Sequence, residues 1–78
     1  MAEFVNNQMV IDAIDTFNID SGQNTAHPFG KFQEYFGFKV GSDESKLLIS
    51  ALNRLVDNST FKRLGLPDPD KCLYIKLT

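Results

Sequence analysis

The side chains that could perform chemistry are few in this sequence, and their spacing does not assemble a catalytic group. His27 is the single histidine and Cys72 the single cysteine among the 78 residues. A nucleophilic or acid–base site needs a base, a nucleophile and an orienting partner, and no motif places these beside His27. The sequence therefore predicts His27 to be a helix cap or a surface residue, and Cys72 a small buried or edge residue in a strand.

Motifs for metals, phosphates and acyl transfer are also missing from the sequence. It contains no Cys/His set with metal spacing, no glycine-rich phosphate loop and no serine elbow. Asp68 and Asp70 alternate with prolines, but two carboxylates do not make a calcium loop. We expect a protein that is not an enzyme, with no catalytic residues, no metal site and no cofactor.

Composition and charge indicate one small folded domain over residues 1–78. Hydrophobic residues make up 42 % of the chain, and seven Phe with no Trp predict a phenylalanine-rich core. The lone cysteine, the absence of a basic and apolar leader, and the lack of a long apolar run predict a cytoplasmic protein without a membrane span. The net charge is −2, yet residues 21–78 hold all eight basic side chains. A mildly basic face permits nucleic-acid binding without demanding it.

Hydrophobic periodicity predicts three helices. The first covers about residues 7–18, and the second begins at His27-Pro28, where Pro suits the first helical position, and ends at Gly37. The third runs from Asp43 to Asp57 behind a Ser42 cap, with a broad apolar arc that places it in the middle of the core. Its narrow polar strip comprises Asp43, Lys46, Ser50, Asn53, Arg54 and Asp57.

The last part of the chain changes to a period of two. Residues 72–78 alternate, with Leu73, Ile75 and Leu77 on one face and Tyr74 and Lys76 on the other, which predicts a half-buried strand. Residues 61–66 are predicted to pair with it as an antiparallel hairpin across a loop at residues 67–70. The predicted fold is α+β: three helices followed by a C-terminal β-hairpin.

This order is the winged helix-turn-helix arrangement, and residues 54–78 resemble one version of it. Arg54-Leu55-Val56-Asp57 is similar to the end of the recognition helix in transcription regulators of the multiple-antibiotic-resistance (MarR) type. The basic pair Lys62-Arg63, the loop Pro67-Asp68-Pro69-Asp70-Lys71 and the segment Ile75-Lys76-Leu77-Thr78 resemble the strands and wing that follow. Lys71 and Cys72 stand where that family usually has two arginines. The resemblance implies a winged-helix-like domain and duplex DNA as a partner.

Two functions follow from this sequence, and its charge leaves both open. In a DNA-binding regulator, the expected contacts come from the third helix and the hairpin: Lys46, Ser50, Asn53, Arg54, Lys62, Arg63 and Lys71. Such a regulator is expected to be a homodimer, because one module buries little DNA surface. The third helix is electrically neutral along its strip, however, which is equally typical of a solvated face. The alternative is a protein-binding regulator or inhibitor that engages a partner protein through Asp12, Asp15, Tyr35 and Phe38.

Overall fold

The computed structural model describes residues 5–65 and 71–77. These residues form an α+β arrangement with the elements α1 (Asn7–Ser21), β1 (His27–Pro28), α2 (Phe29–Phe36), α3 (Asp43–Asp57), β2 (Phe61–Leu64) and β3 (Leu73–Lys76). The three strands make one antiparallel sheet in the order β1-β3-β2. The loop predicted at residues 67–70, and the predicted strand positions 66 and 78, lie outside the described residues.

Helix α1 begins and ends at residues that satisfy its terminal backbone groups. The side chain of Asn6 accepts a hydrogen bond from the Met9 amide at 2.9 Å, and Gly22 ends the helix in the left-handed conformation at φ 75°. The helix is three residues longer than the predicted range of 7–18. Its predicted apolar stripe is confirmed: Val10, Ala13, Ile14 and Phe17 are all buried.

Helix α2 follows the predicted phenylalanine spacing, but its start differs from the prediction. Phe29 and Phe32 are buried, Phe36 is half-buried, and Gly37 ends the helix at φ 73°. Pro28 is the N-cap, and His27 lies before it in β1, paired with Tyr74 of β3. The prediction that His27 is a helix cap or a surface residue is wrong, because a long-range strand pairing buries it.

Helix α3 has the predicted bounds. The Ser42 hydroxyl accepts a hydrogen bond from the Ser45 amide, and Asp43 and Glu44 lie in the first turn, where the helix dipole favours negative charge. Its buried residues are Ser45, Leu48, Ala51, Leu52 and Leu55. The helix packs against α1 and β2, so its opposite face is left as the outer surface of the domain.

The predicted hairpin is confirmed as the pairing of β2 with β3. The period of two is also present, and the buried face is that of Tyr74, which is fully buried, whereas Leu73 is 42 % exposed. Tyr74 packs edge-on against Phe32 of α2 at a ring-centroid distance of 6.3 Å. The short strand β1, which the sequence did not predict, flanks β3 on the side opposite β2. No helix within residues 5–65 and 71–77 has the length and apolar character needed to cross a membrane.

Candidate nucleic-acid interface

The polar strip of α3 faces solvent along the length of the helix. Lys46, Ser50 and Arg54 are exposed, and Asn53 is half-buried. Exposed carboxylates occupy both ends of the strip, at Asp43 and Asp57. Phosphate groups repel carboxylates, so the middle of the helix is the part that DNA could approach.

Arg54 is tied to the segment that begins α1. Its Nε donates to Asn7 Oδ1 at 3.0 Å and its Nη2 donates to the Val5 carbonyl oxygen at 3.0 Å. These bonds use two of the five guanidinium donors. Arg54 therefore joins α3 to the start of α1, and its remaining donors are those available to a phosphate.

Arg63 of β2 and Asn53 of α3 contact each other. Arg63 Nη2 donates to Asn53 Oδ1, and the guanidinium lies over the Tyr74 ring at 5.7 Å from the centroid. The Arg63 Nε is buried and has no hydrogen-bond partner within the described residues. Because Arg63 is in register with Tyr74 on β3, its side chain covers the core-facing side of the hairpin. The pair fixes the hairpin against α3.

Lys62 lies on the other face of the hairpin. Its side chain is exposed and its register partner is Ile75. Lys71, two residues before the start of β3, is also exposed. Of the seven residues predicted to contact DNA, Lys46, Lys62 and Lys71 are the exposed lysines, and Ser50 is the exposed hydroxyl beside them in the strip.

The residues of the alternative, protein-binding prediction lie on α1, on α2 and in the turn after α2. Asp12 on α1 is exposed and accepts from Gln8 Nε2 at 2.8 Å, whereas Asp15 is bonded to Lys76 Nζ at 2.8 Å. Tyr35 on α2 is 50 % exposed and packs edge-on against Phe17 at 5.3 Å. The fourth member, Phe38, belongs to the turn after α2, where its ring stacks on Phe36.

His27 takes part in a polar network that sequence reasoning missed. Its Nε2 lies 2.8 Å from Asn18 Oδ1, and Phe17 packs edge-on against the ring. The Asn18 amide nitrogen donates to Asn24 Oδ1, and the Asn24 amide nitrogen donates to the Lys76 carbonyl oxygen. Burial lowers the pKa of His27 from 6.5, and the nearby Lys31 charge adds to this effect. The hydrogen bond from His27 to the Asn18 side chain links β1 to α1.

Other candidates for chemistry do not assemble in the described part of the chain. Cys72 is buried, as predicted, and lies directly before β3. Among residues 5–65 and 71–77, no three His, Cys, Asp or Glu side chains are grouped so that they could hold a metal ion. Comparison of the chain with protein-family models, with curated proteins and with solved structures finds no match.

Proposed function

We propose that this chain is a winged-helix-like DNA-binding regulator that presents α3 to the major groove of a duplex and the β2–β3 hairpin to the flanking backbone. The observation that carries the proposal is the exposed polar strip of α3, whose opposite face is buried in the core. A helix held in this way can enter a groove without losing its packing. The hairpin that follows supplies exposed Lys62 and Lys71.

The contacts among these residues support a division of roles. Lys46 and Ser50 lie within the strip, where a lysine can reach a phosphate or a guanine edge and a hydroxyl can reach a base or a phosphate. Lys62 and Lys71 are the backbone contacts. Asn53 and Arg63 hold the hairpin against α3, and Arg54 anchors α3 while it offers its remaining donors to a phosphate.

The charge balance supports low affinity for a single module. The two carboxylates at the ends of the α3 strip oppose phosphate, and a single small module buries only about 600–1,000 Å² against DNA. We therefore propose that the functional form is a homodimer that reads two half-sites, as is usual for regulators of this kind.

The test is a fluorescence-anisotropy titration of labelled random duplex DNA at low salt, repeated at increasing salt. Phosphate contacts by the three lysines and Arg54 predict a log–log slope of roughly −3.6 per protomer. Lys46→Gln, Lys62→Gln and Lys71→Gln should each reduce its size by about one unit. Lys31→Gln is the matched control, because Lys31 lies over the Phe17 ring on the α1–α2 side of the domain. Absence of binding at roughly ten-micromolar protein, where non-specific binders register, would refute the proposal.

A further inference from the structure

An open groove lies between α2, α3 and the turn that joins them. Its volume is about 630 Å³, within the range of pockets that bind ligands in proteins. Phe29 from α2, Phe38 and Val40 from the turn, and Ile49 from α3 supply its apolar walls. None of the DNA contacts proposed above, except Lys46, lines it.

The apolar surface of the groove continues onto its outer lip. Phe38 and Ile49 are half-buried, but Val40 is 91 % exposed. An isolated exposed valine would need no explanation. This one adjoins a concave apolar wall, so the apolar surface is larger than the cavity itself.

Two polar side chains, those of Gln33 and Ser45, line the floor of the groove. Gln33 is only 8 % exposed and Ser45 only 4 % exposed. The Ser45 hydroxyl donates to Gln33 Oε1 at 3.4 Å, which is long for such a bond. No hydrogen bond from a described residue reaches the Gln33 amide nitrogen. An amide nitrogen can donate two hydrogen bonds, so it can donate to a carbonyl oxygen that enters the groove.

The two rims of the groove carry opposite charges. Glu34 is exposed on the α2 side, and Lys46 is exposed on the α3 side. A ligand that bears one kind of charge would be attracted to one rim and repelled by the other. A segment with a basic group toward Glu34 and an acidic group toward Lys46 is complementary to both.

We propose that this groove docks a peptide segment of a partner protein. A large apolar side chain of the segment packs against Phe38, Val40 and Ile49, and a main-chain carbonyl oxygen accepts from the Gln33 amide. A peptide is the occupant whose chemistry combines apolar side chains, backbone carbonyl groups and both signs of charge along an extended line. This inference does not depend on DNA binding, because Lys46 is the one groove residue among the proposed DNA contacts.

The experiment uses a phage-displayed library of random peptides selected on the full chain, followed by calorimetry with the synthesised peptides. The selected sequences should share a large apolar residue flanked by one basic and one acidic residue. Gln33→Leu and Val40→Ser should each weaken their binding about tenfold, the effect of losing one hydrogen bond or a buried apolar contact. The matched control is Ile19→Ser, which removes a 78 % exposed apolar side chain at the end of α1, outside the groove, and should leave affinity unchanged.

Thermal melting of Gln33→Leu checks that the variant is folded. If Gln33→Leu does not fold, Val40→Ser still tests the proposal, because the Val40 side chain is almost fully exposed and its replacement should not affect folding. Three outcomes would overturn the proposal: no enriched sequence, peptides that bind both groove variants as tightly as the parent chain, or peptides whose binding is lost in Ile19→Ser. Binding of small apolar molecules in the groove without binding of any peptide would also count against it.

Discussion

Leu52 provides the sharpest test of how α3 is placed in the core. Its side chain is fully buried, so Leu52→Ala removes three carbons from a site with no solvent to fill the space. At about 0.8 kcal/mol per buried methylene the transfer cost alone is about 2.4 kcal/mol, and the cavity that remains extends the expected loss to about 2–5 kcal/mol. A domain of 78 residues has a free energy of unfolding of roughly 4–12 kcal/mol. The substitution therefore removes a large share of the total.

The matched variant is Ser50→Ala, two residues away on the exposed strip of the same helix. Alanine favours helix and nothing is buried at this position, so the change should stay within about 0.5 kcal/mol. Both variants are compared with the parent chain by urea unfolding followed by circular dichroism. At about 4–8 °C per kcal/mol, Leu52→Ala should also lower Tm by more than about 8 °C. Equal unfolding midpoints for the two variants would show that the helical phase derived for α3 is incorrect.

Three further predictions concern the histidine, an ion pair and a helix end. The free energy of unfolding should fall as the pH is lowered through about 6.5, because burial lowers the pKa of His27 in the folded state and the unfolded chain takes up the proton more readily. Urea unfolding of His27→Gln should no longer show this pH dependence. A variant that kept the pH dependence would show that a group other than His27 causes it. Asp15→Asn breaks the 2.8 Å ion pair with half-exposed Lys76. It should lower the free energy of unfolding by no more than about 1 kcal/mol, and by less at high salt. A decrease in the free energy of unfolding that did not depend on salt, measured by the same urea unfolding, would contradict this prediction. Gly37→Ala should lower the free energy of unfolding by about 1 kcal/mol, because Gly37 has φ 73°. Gly30→Ala, inside α2 with open space around the added Cβ, should raise it by roughly 0.5–1 kcal/mol. Thermal melts in which Tm changes in the same direction for both variants would contradict this reasoning.

The helices could be predicted from the sequence because their determinants are local. Ser42 accepts from the amide three residues ahead of it, and Gly37 takes a backbone conformation that other residues resist. The same local reasoning failed at His27, where Pro28 suggested a helix start and the pairing with Tyr74 produced a strand instead. That pairing joins two positions that are distant in the sequence, so a local sequence pattern cannot predict it.

The faces of β3 and the partners of the two arginines show the same limit. The alternation in residues 73–77 predicts two faces of the strand but not which face is buried. Tyr74 lies on the buried face, where it packs against Phe32. The prediction that Arg54 and Arg63 contact DNA rests on their basic side chains and on their places in the recognition helix and the wing. Their bonds to Val5, Asn7 and Asn53 depend on how α1 and the hairpin pack beside α3.

The central position of β3 in the sheet constrains how the chain can fold while it is being synthesised. β3 pairs with β1 on one edge and β2 on the other, yet it follows both in the sequence. Until residues 73–76 emerge from the ribosome, neither earlier strand has a partner, and the space that Tyr74 fills beside Phe32 is empty. The nascent chain can form its helices early, but its sheet can form only after β3 has been synthesised. A ribosome stalled before Leu73 would therefore expose an incomplete core to chaperones and proteases.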